Sequence, residues 1–293
     1  MLTAPGFESA TAVTPLGSVA YVNAGPNSED NPAPESLVFL HGFGGGSSSY
    51  EWSLVYPAFI HRYRVLAPDL LGWGRSDHPE RQYSIDDYLE CLTSFLEQTC
   101  SAPAMVVASS LTAAFMVRVA IARPDLIRAM ILVNPSGIED FGKSYRNQIF
   151  AQIVRIPLVD KLLYWGAIAN PDGIRSFLKE RQFANPDLVT EEMVRAYLAS
   201  ASQANADYAA LAFVQGNLCF DLAEYMPQLT VPSVIIWGGK AQFTEVEIGQ
   251  RLAALNPEAI RQFELLPDVG LTPQLECPAI TIGLIKKYLL MLG

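Results

Sequence analysis

Ala104 to Ala122 reads AMVVASSLTAAFMVRVAIA, and it sets the expectations for the rest of the chain. Met105 to Ala108 is an apolar run of strand length, Ser109-Ser110 is a sharp turn, and a helix begins near Leu111. Serine at the apex of a strand-turn-helix lifts its hydroxyl above the sheet edge, where it can meet a carbonyl carbon. The stretch is long enough for a membrane span, but Ser109, Ser110, Thr112 and Arg118 interrupt it and an amphipathic helix precedes it. Burial inside an α/β core is therefore expected, and no membrane span.

Toward the N-terminus, residues 8–13 and Ser18 to Ala24 alternate around Pro15-Leu16-Gly17, as in an antiparallel hairpin. Asn27 to Pro34 is a polar loop, and Leu37 to Leu40 a short buried strand that runs into His41-Gly42-Phe43-Gly44-Gly45-Gly46. Four glycines in five positions let the backbone approach its neighbours closely and leave N–H groups unobstructed, which suits an anion. A helix is expected over Trp52 to Ile60, a strand over Tyr63 to Ala67, and then a turn over Pro68 to Asp77 (PDLLGWGRSD). Ser84 should cap the next helix, with Asp86 and Asp87 in its first turn.

Toward the C-terminus, Ala129 to Val133 is another buried strand, so strands and helices alternate as in a parallel sheet covered on both faces. From about Gly137 the rhythm changes. Tyr145 to Val154, Val159 to Ala169, Asp172 to Arg181 and Thr190 to Ala201 read as helices, punctuated by Pro157, Pro171 and Pro186, with no strand among them. Tyr208 to Cys219 returns toward the core, and Ser233 to Trp237 resumes the sheet. Val246 to Leu255 is a helix, Arg261 to Leu266 the last strand, and Pro278 to Met291 the closing helix. The expected organisation is a core over residues 1–136 and 208–293 with a helical cap over 137–207.

Composition narrows the function classes. Half of the 293 residues are hydrophobic, enough for one large core and an insertion. A net charge of −10 without a clustered basic surface argues against nucleic acid as a partner. The start MLTAPGFESATAV has neither the basic flank nor the apolar centre of a secretory signal, so a cytoplasmic, reducing location is expected. Cys91, Cys100, Cys219 and Cys277 form no C-x-x-C pair and no metal-ligand spacing with the histidines, and are read as reduced thiols. No metal or cofactor is expected, and nothing identifies a protein partner.

Taken together, these segments strongly resemble the α/β-hydrolase superfamily, in its capped branch of esterases, carbon–carbon bond hydrolases, haloalkane dehalogenases and epoxide hydrolases. The resemblance is carried by LHGFGGG at Leu40 to Gly46, PDLLGWGRSD at Pro68 to Asp77, the turn at Ser110, VPSVIIWGGK at Val231 to Lys240 and LPDVGLTPQLECP at Leu266 to Pro278. It implies a mostly parallel, twisted sheet of about eight strands with helices on both faces and an inserted helical cap. It also implies Ser110 as nucleophile and the N–H groups of Phe43 and Leu111 as an oxyanion hole. The triad acid of the family falls at Ala241, in GGKAQF, and the base at Leu271, in DVGLTP.

A serine hydroxyl is a poor nucleophile until an adjacent base takes its proton. The chain has only His41, His61 and His78, all before Ser110. His41 reads as a structural side chain of the glycine loop, His61 as a surface residue, and His78, just past GRSD, as a surface residue worth locating. Glu139 and Asp140 stand where some members of the superfamily keep the acid, though an acid with no histidine to orient completes no triad. Two residues from the serine, where the family prefers glycine, stand Ala108 and Thr112; the β-branched threonine suggests a relaxed turn. Loss of the base costs roughly 10⁶-fold in turnover in a serine protease, with a residual ~10³- to 10⁴-fold over water. Two readings follow. One is a non-hydrolytic protein holding a small apolar ligand under a cap bearing Phe150, Leu162, Leu163, Tyr164 and Trp165, or holding a protein partner. The other is an esterase or lyase-like enzyme with His41 or His78 as base. The bland reading of those aromatics is packing of cap on core.

Overall fold

The computed structural model of the chain describes residues 7–26, 34–143, 161 and 164–293. Its strands are β1 (Glu8–Thr14), β2 (Gly17–Ala24), β3 (Ser36–Leu40), β4 (Arg64–Pro68), β5 (Ala104–Ser109), β6 (Ile127–Val133), β7 (Ser233–Gly238) and β8 (Ile260–Leu266). They form one eight-stranded sheet in the order β1-β2-β4-β3-β5-β6-β7-β8. β2 pairs antiparallel with β1 and β4, and every other pairing is parallel. This is the mostly parallel sheet that the alternating pattern predicts.

The central strands are apolar along most of their length because each face meets its own layer. Val38 and Leu40, Val106 and Ala108, and Met130 and Leu132 point into one core with helices α1 (Ile85–Thr99) and α2 (Ser110–Ala122). Leu37 and Phe39, Met105 and Val107, and Ala129 and Ile131 point into the other, with Trp52, Tyr56, Phe59 and, near the C-terminus, Ile285, Tyr288 and Leu289. The later helices are α3 (Pro171–Phe177), α4 (Glu191–Ala201), α5 (Ala206–Val214), α6 (Val246–Ala254), α7 (Pro273–Glu276) and α8 (Pro278–Leu292). Among the described residues no helix is long and apolar enough to cross a membrane. All four cysteines are thiols rather than disulfides.

The expected helix over Trp52 to Ile60 is instead two 3-10 turns, Ser49–Trp52 and Tyr56–Phe59. Pro57 has no N–H to give to a helical ladder, and its ring disfavours helical geometry at Tyr56. Tertiary bonds hold the segment: Trp52 Nε1 donates to the Leu40 carbonyl (2.9 Å) and the Ser49 N–H to Asp69 (2.7 Å). The polar loop at 27–33 and the helix at Tyr145 to Val154 lie outside the described residues, as do Phe150, Leu162 and Leu163.

Ser84 caps α1 as its position suggests. The Asp87 N–H donates to Ser84 Oγ, and Asp87 Oδ2 accepts from the Ser84 N–H (2.8 Å). Ser84→Ala is expected to cost about 1 kcal/mol of stability, read as a lower urea midpoint at unchanged slope. An unchanged midpoint would mean that the box contributes nothing.

Candidate functional site at the serine turn

Ser110 follows the last residue of β5 and opens α2 with φ 56, a left-handed conformation that a serine adopts at a cost of about 1–2 kcal/mol. The turn is held rather than relaxed: Thr112 is fully buried and its hydroxyl donates to the His41 carbonyl at 2.6 Å. Threonine thus ties helix α2 to the end of β3, a role its β-branching did not suggest. Gly42 passes directly over the turn; a Cβ there would stand 3.2 Å from both Ser109 Oγ and Ser110 Cβ. Ser110 is half-buried, and among the described residues its hydroxyl has no hydrogen-bond partner.

The glycine loop is occupied by the chain itself. A Cβ on Gly45 would stand 2.5 Å from Ile168, one on Gly44 3.1 Å from the Phe177 ring, and one on Gly46 2.2 Å from the Tyr197 carbonyl oxygen. The Gly42 N–H donates to Glu51 Oε2 at 3.0 Å, and Glu51 Oε1 accepts from the Tyr197 hydroxyl at 3.2 Å. Burial, then the charge of Glu51, pushes the Tyr197 phenol well above the usual tyrosine range, and the Gln182 side chain opposes that shift. The expectation of an anion-friendly loop therefore needs correcting, since a buried carboxylate already holds its first N–H. The Phe43 N–H donates to no described residue, and the Leu111 N–H lies in the first turn of α2, where a helix supplies no acceptor. The Phe43 ring sits edge-on to Trp73, Tyr88 and Phe115 at 4.9–5.6 Å.

None of the histidines is bonded to Ser110. His41 is fully buried, and the Leu70 N–H donates to its Nε2 at 2.9 Å, so the proton sits on Nδ1 and is donated to the Gly42 carbonyl at 2.7 Å. With both nitrogens engaged it is the structural side chain expected. His61 is exposed. His78 Nε2 is buried without a partner, and burial lowers its pKa, opposed by a backbone hydrogen bond at Ser76 and the charges of Asp69 and Asp77.

Ala241 follows β7, its N–H donating to Gly238 O (3.1 Å). Leu271 is 5% exposed in the loop after β8; its N–H donates to the Gln182 carbonyl at 2.7 Å and its carbonyl accepts from Asn134 Nδ2 at 2.8 Å. Asn134 Oδ1 accepts from the Gly238 N–H at 2.8 Å, so one side chain at the end of β6 clamps the loops bearing both positions. Asp140 is a buried loop anchor, accepting from Ser136 Oγ (2.6 Å) and from the N–H groups of Gly137 and Leu222. Burial raises its pKa, and those same bonds oppose the shift. The Glu139 N–H donates to Phe220 O (3.3 Å). Tyr164 is buried, with its hydroxyl on the Ala201 carbonyl (2.8 Å), while Trp165 is 45% exposed.

Glu51, Asn134, Gln182 and Tyr197 were not singled out from the sequence. The one available signal was an acid inside the apolar YEW run ten residues after His41. Around Leu271, Gln182 Oε1, Thr272 Oγ1 and both amide atoms of Gln274 are buried without partners, as is Ser109 Oγ beneath Gly42. Among the described residues no group of three or more His, Cys, Asp or Glu could hold a metal ion.

A model of the alpha/beta hydrolase family matches residues 37–283. The chain is 28% identical over 245 residues to the dihydrolipoyllysine-residue acetyltransferase component of an acetoin cleaving system from Pseudomonas putida, covering 82% of this chain but only 59% of that protein. It is 25% identical over 252 residues to an uncharacterised hydrolase of Bacillus subtilis (strain 168), covering 85% of this chain and 89% of that one. Among solved structures, the epoxide hydrolase CorEH superposes with TM-score 0.78 at 20% identity, covering 98% of this chain and 100% of that chain.

Proposed function

Because the chain belongs to the alpha/beta hydrolase family, we propose that it is a member whose triad has lost its acid at Ala241 and its base at Leu271. In this reading it binds a small, largely apolar ligand without hydrolysing it. Residues 137–207 act as the cap over that ligand, and the protein works in the cytoplasm without cofactor or nucleic acid. A protein partner in place of the ligand is the variant of the same reading.

The observation that carries it is the want of a base. None of the three histidines is hydrogen-bonded to Ser110 among the described residues, His61 is exposed, and His41 uses both ring nitrogens on the backbone of its own loop and of Leu70. Without a proton acceptor the hydroxyl stays a weak nucleophile however well the turn presents it. Wild-type protein is expected to turn over p-nitrophenyl acyl esters no faster than Ser110→Ala, and to resist a fluorophosphonate at neutral pH while folded. Steady turnover that vanishes in Ser110→Ala would sink the reading, and native mass spectrometry of the purified protein would identify the ligand.

A second reading, a slow esterase or lyase-like enzyme acting on a small apolar ester or carbonyl compound, is favoured by one observation. Ser110 keeps its left-handed φ of 56, a strain that a purely structural turn does not require. Labelling of Ser110 by the fluorophosphonate would support this second reading against the first.

A further inference from the structure

We infer that Glu51 selects the ligand by charge: the site takes a small apolar molecule whose polar group is a hydroxyl, primary amide or ammonium, and turns away carboxylates. The inference rests on the binding reading above and names the ligand class for that same site.

Glu51 is 1% exposed, and among the described residues its carboxylate accepts from the Gly42 N–H and the Tyr197 hydroxyl, both neutral donors. No described lysine, arginine or histidine forms an ion pair with it. The neighbouring buried carboxylate, Asp69, differs in this respect, since Arg75 Nε lies 3.0 Å from its Oδ2. Among the described residues Glu51 is thus the carboxylate of the two without a cationic partner. It is also close to the serine: the point where a Gly42 Cβ would stand is 3.7 Å from Glu51 Oε2 and 3.2 Å from Ser110 Cβ. An anion seated on the Phe43 and Leu111 N–H groups would face that carboxylate across a single strand of backbone.

Removal of the histidine sharpens this effect. With leucine at 271, no imidazolium can form at that position to offset the charge of Glu51 or of a bound anion. Were an anion seated about 7 Å from that carboxylate, at an effective dielectric near 20 the two like charges would repel by an amount worth on the order of tenfold to a hundredfold in affinity. Two of the unmet polar groups favour the opposite kind of ligand, whereas a third, Gln274 Nε2, can only donate. Gln182 Oε1 can only accept, Ser109 Oγ can accept, and both are buried without partners, so a ligand that donates a hydrogen bond satisfies them.

Four probes of one shape test the inference: benzyl alcohol, benzamide, benzylamine and benzoate, titrated calorimetrically into wild type and Glu51→Gln. Wild type is expected to bind the first three at least about tenfold more tightly than benzoate. Glu51→Gln keeps an acceptor for the Gly42 N–H and removes the charge, and should bring benzoate to within about threefold of benzyl alcohol while weakening benzylamine. Glu51→Asp retains the charge and should retain the discrimination, which covers the case in which Glu51→Gln does not fold. Benzoate binding wild type as well as benzyl alcohol does, or an unchanged ratio in Glu51→Gln, overturns the role of Glu51 and leaves the binding reading standing. Failure of all four probes to bind, with native mass spectrometry finding no ligand, overturns both.

Discussion

The double variant Ala241→Asp, Leu271→His is expected to hydrolyse a p-nitrophenyl ester roughly 10³-fold faster than wild type, through Ser110. In a serine protease the nucleophile and base act as a unit worth about 10⁶-fold, so a partly aligned triad should recover a part of that. The geometry favours recovery because most of the frame is in place. Ser110 already has the strained φ of 56, Thr112 holds the turn against the His41 carbonyl, and Leu271 has its main chain fixed on both sides, by Gln182 and Asn134. An imidazole at 271 would need a partner to fix its tautomer, which is the task of the aspartate at 241. Leu271→His alone should therefore fall about 10⁴-fold short of what a complete triad gives, on the scale of a protease lacking its aspartate. Ser110→Ala in the double background should return the rate to that of wild type. A folded double variant no faster than wild type would show that 241 and 271 are not the missing positions.

The fold was legible in the sequence wherever local pattern and tertiary demand coincide. Val38 to Leu40, Met105 to Ala108 and Ile131 to Val133 are apolar at every position because both sheet faces are covered, so their strands could be located before any contact was known. Ser84 was legible for a different reason, since a cap is a local bond between residues three apart. The segment after the glycine loop was not: Trp52, Tyr56 and Phe59 have helical spacing, but they are buried by the sheet through two 3-10 turns, the second of which contains Pro57.

The site divided along the same line. Ser110, Ala241 and Leu271 could be named as candidates because they sit inside motifs. What Glu51 does depends on Tyr197, 146 residues away in sequence, and on Gly42. No periodicity encodes a meeting of that kind. The glycines of the loop were read as open to an anion, yet Ile168, Phe177 and the Tyr197 carbonyl are what their missing Cβ atoms admit. A glycine run states that something comes close without stating what.

Asn134→Leu is expected to lower stability by about 3–7 kcal/mol, the largest loss among the single substitutions considered. Asn134 is 1% exposed and has φ 46, in the region that asparagine tolerates better than other side chains. Leucine would lose the acceptor of the Gly238 N–H and the donor to the Leu271 carbonyl, leaving a buried N–H and a buried C=O unpaired. Each unpaired group costs roughly 1–3 kcal/mol, and the left-handed backbone adds ~1 kcal/mol for leucine. Asn134→Gly removes both bonds but relieves the backbone, so it should fall short of the leucine variant by about that last amount. Urea unfolding followed by tryptophan fluorescence measures both; a loss below about 1 kcal/mol in Asn134→Leu would mean that relaxation or water replaces the clamp. The clamp also has a catalytic reading in the restored background. Because Asn134 joins the loop of Gly238 to that of Leu271, its removal should uncouple the new aspartate from the new histidine. The triple variant Asn134→Gly, Ala241→Asp, Leu271→His is then expected to lose most of the recovered turnover at a temperature where it is still folded. Retention of that turnover would show that the loops hold their relative positions without the side chain that bridges them.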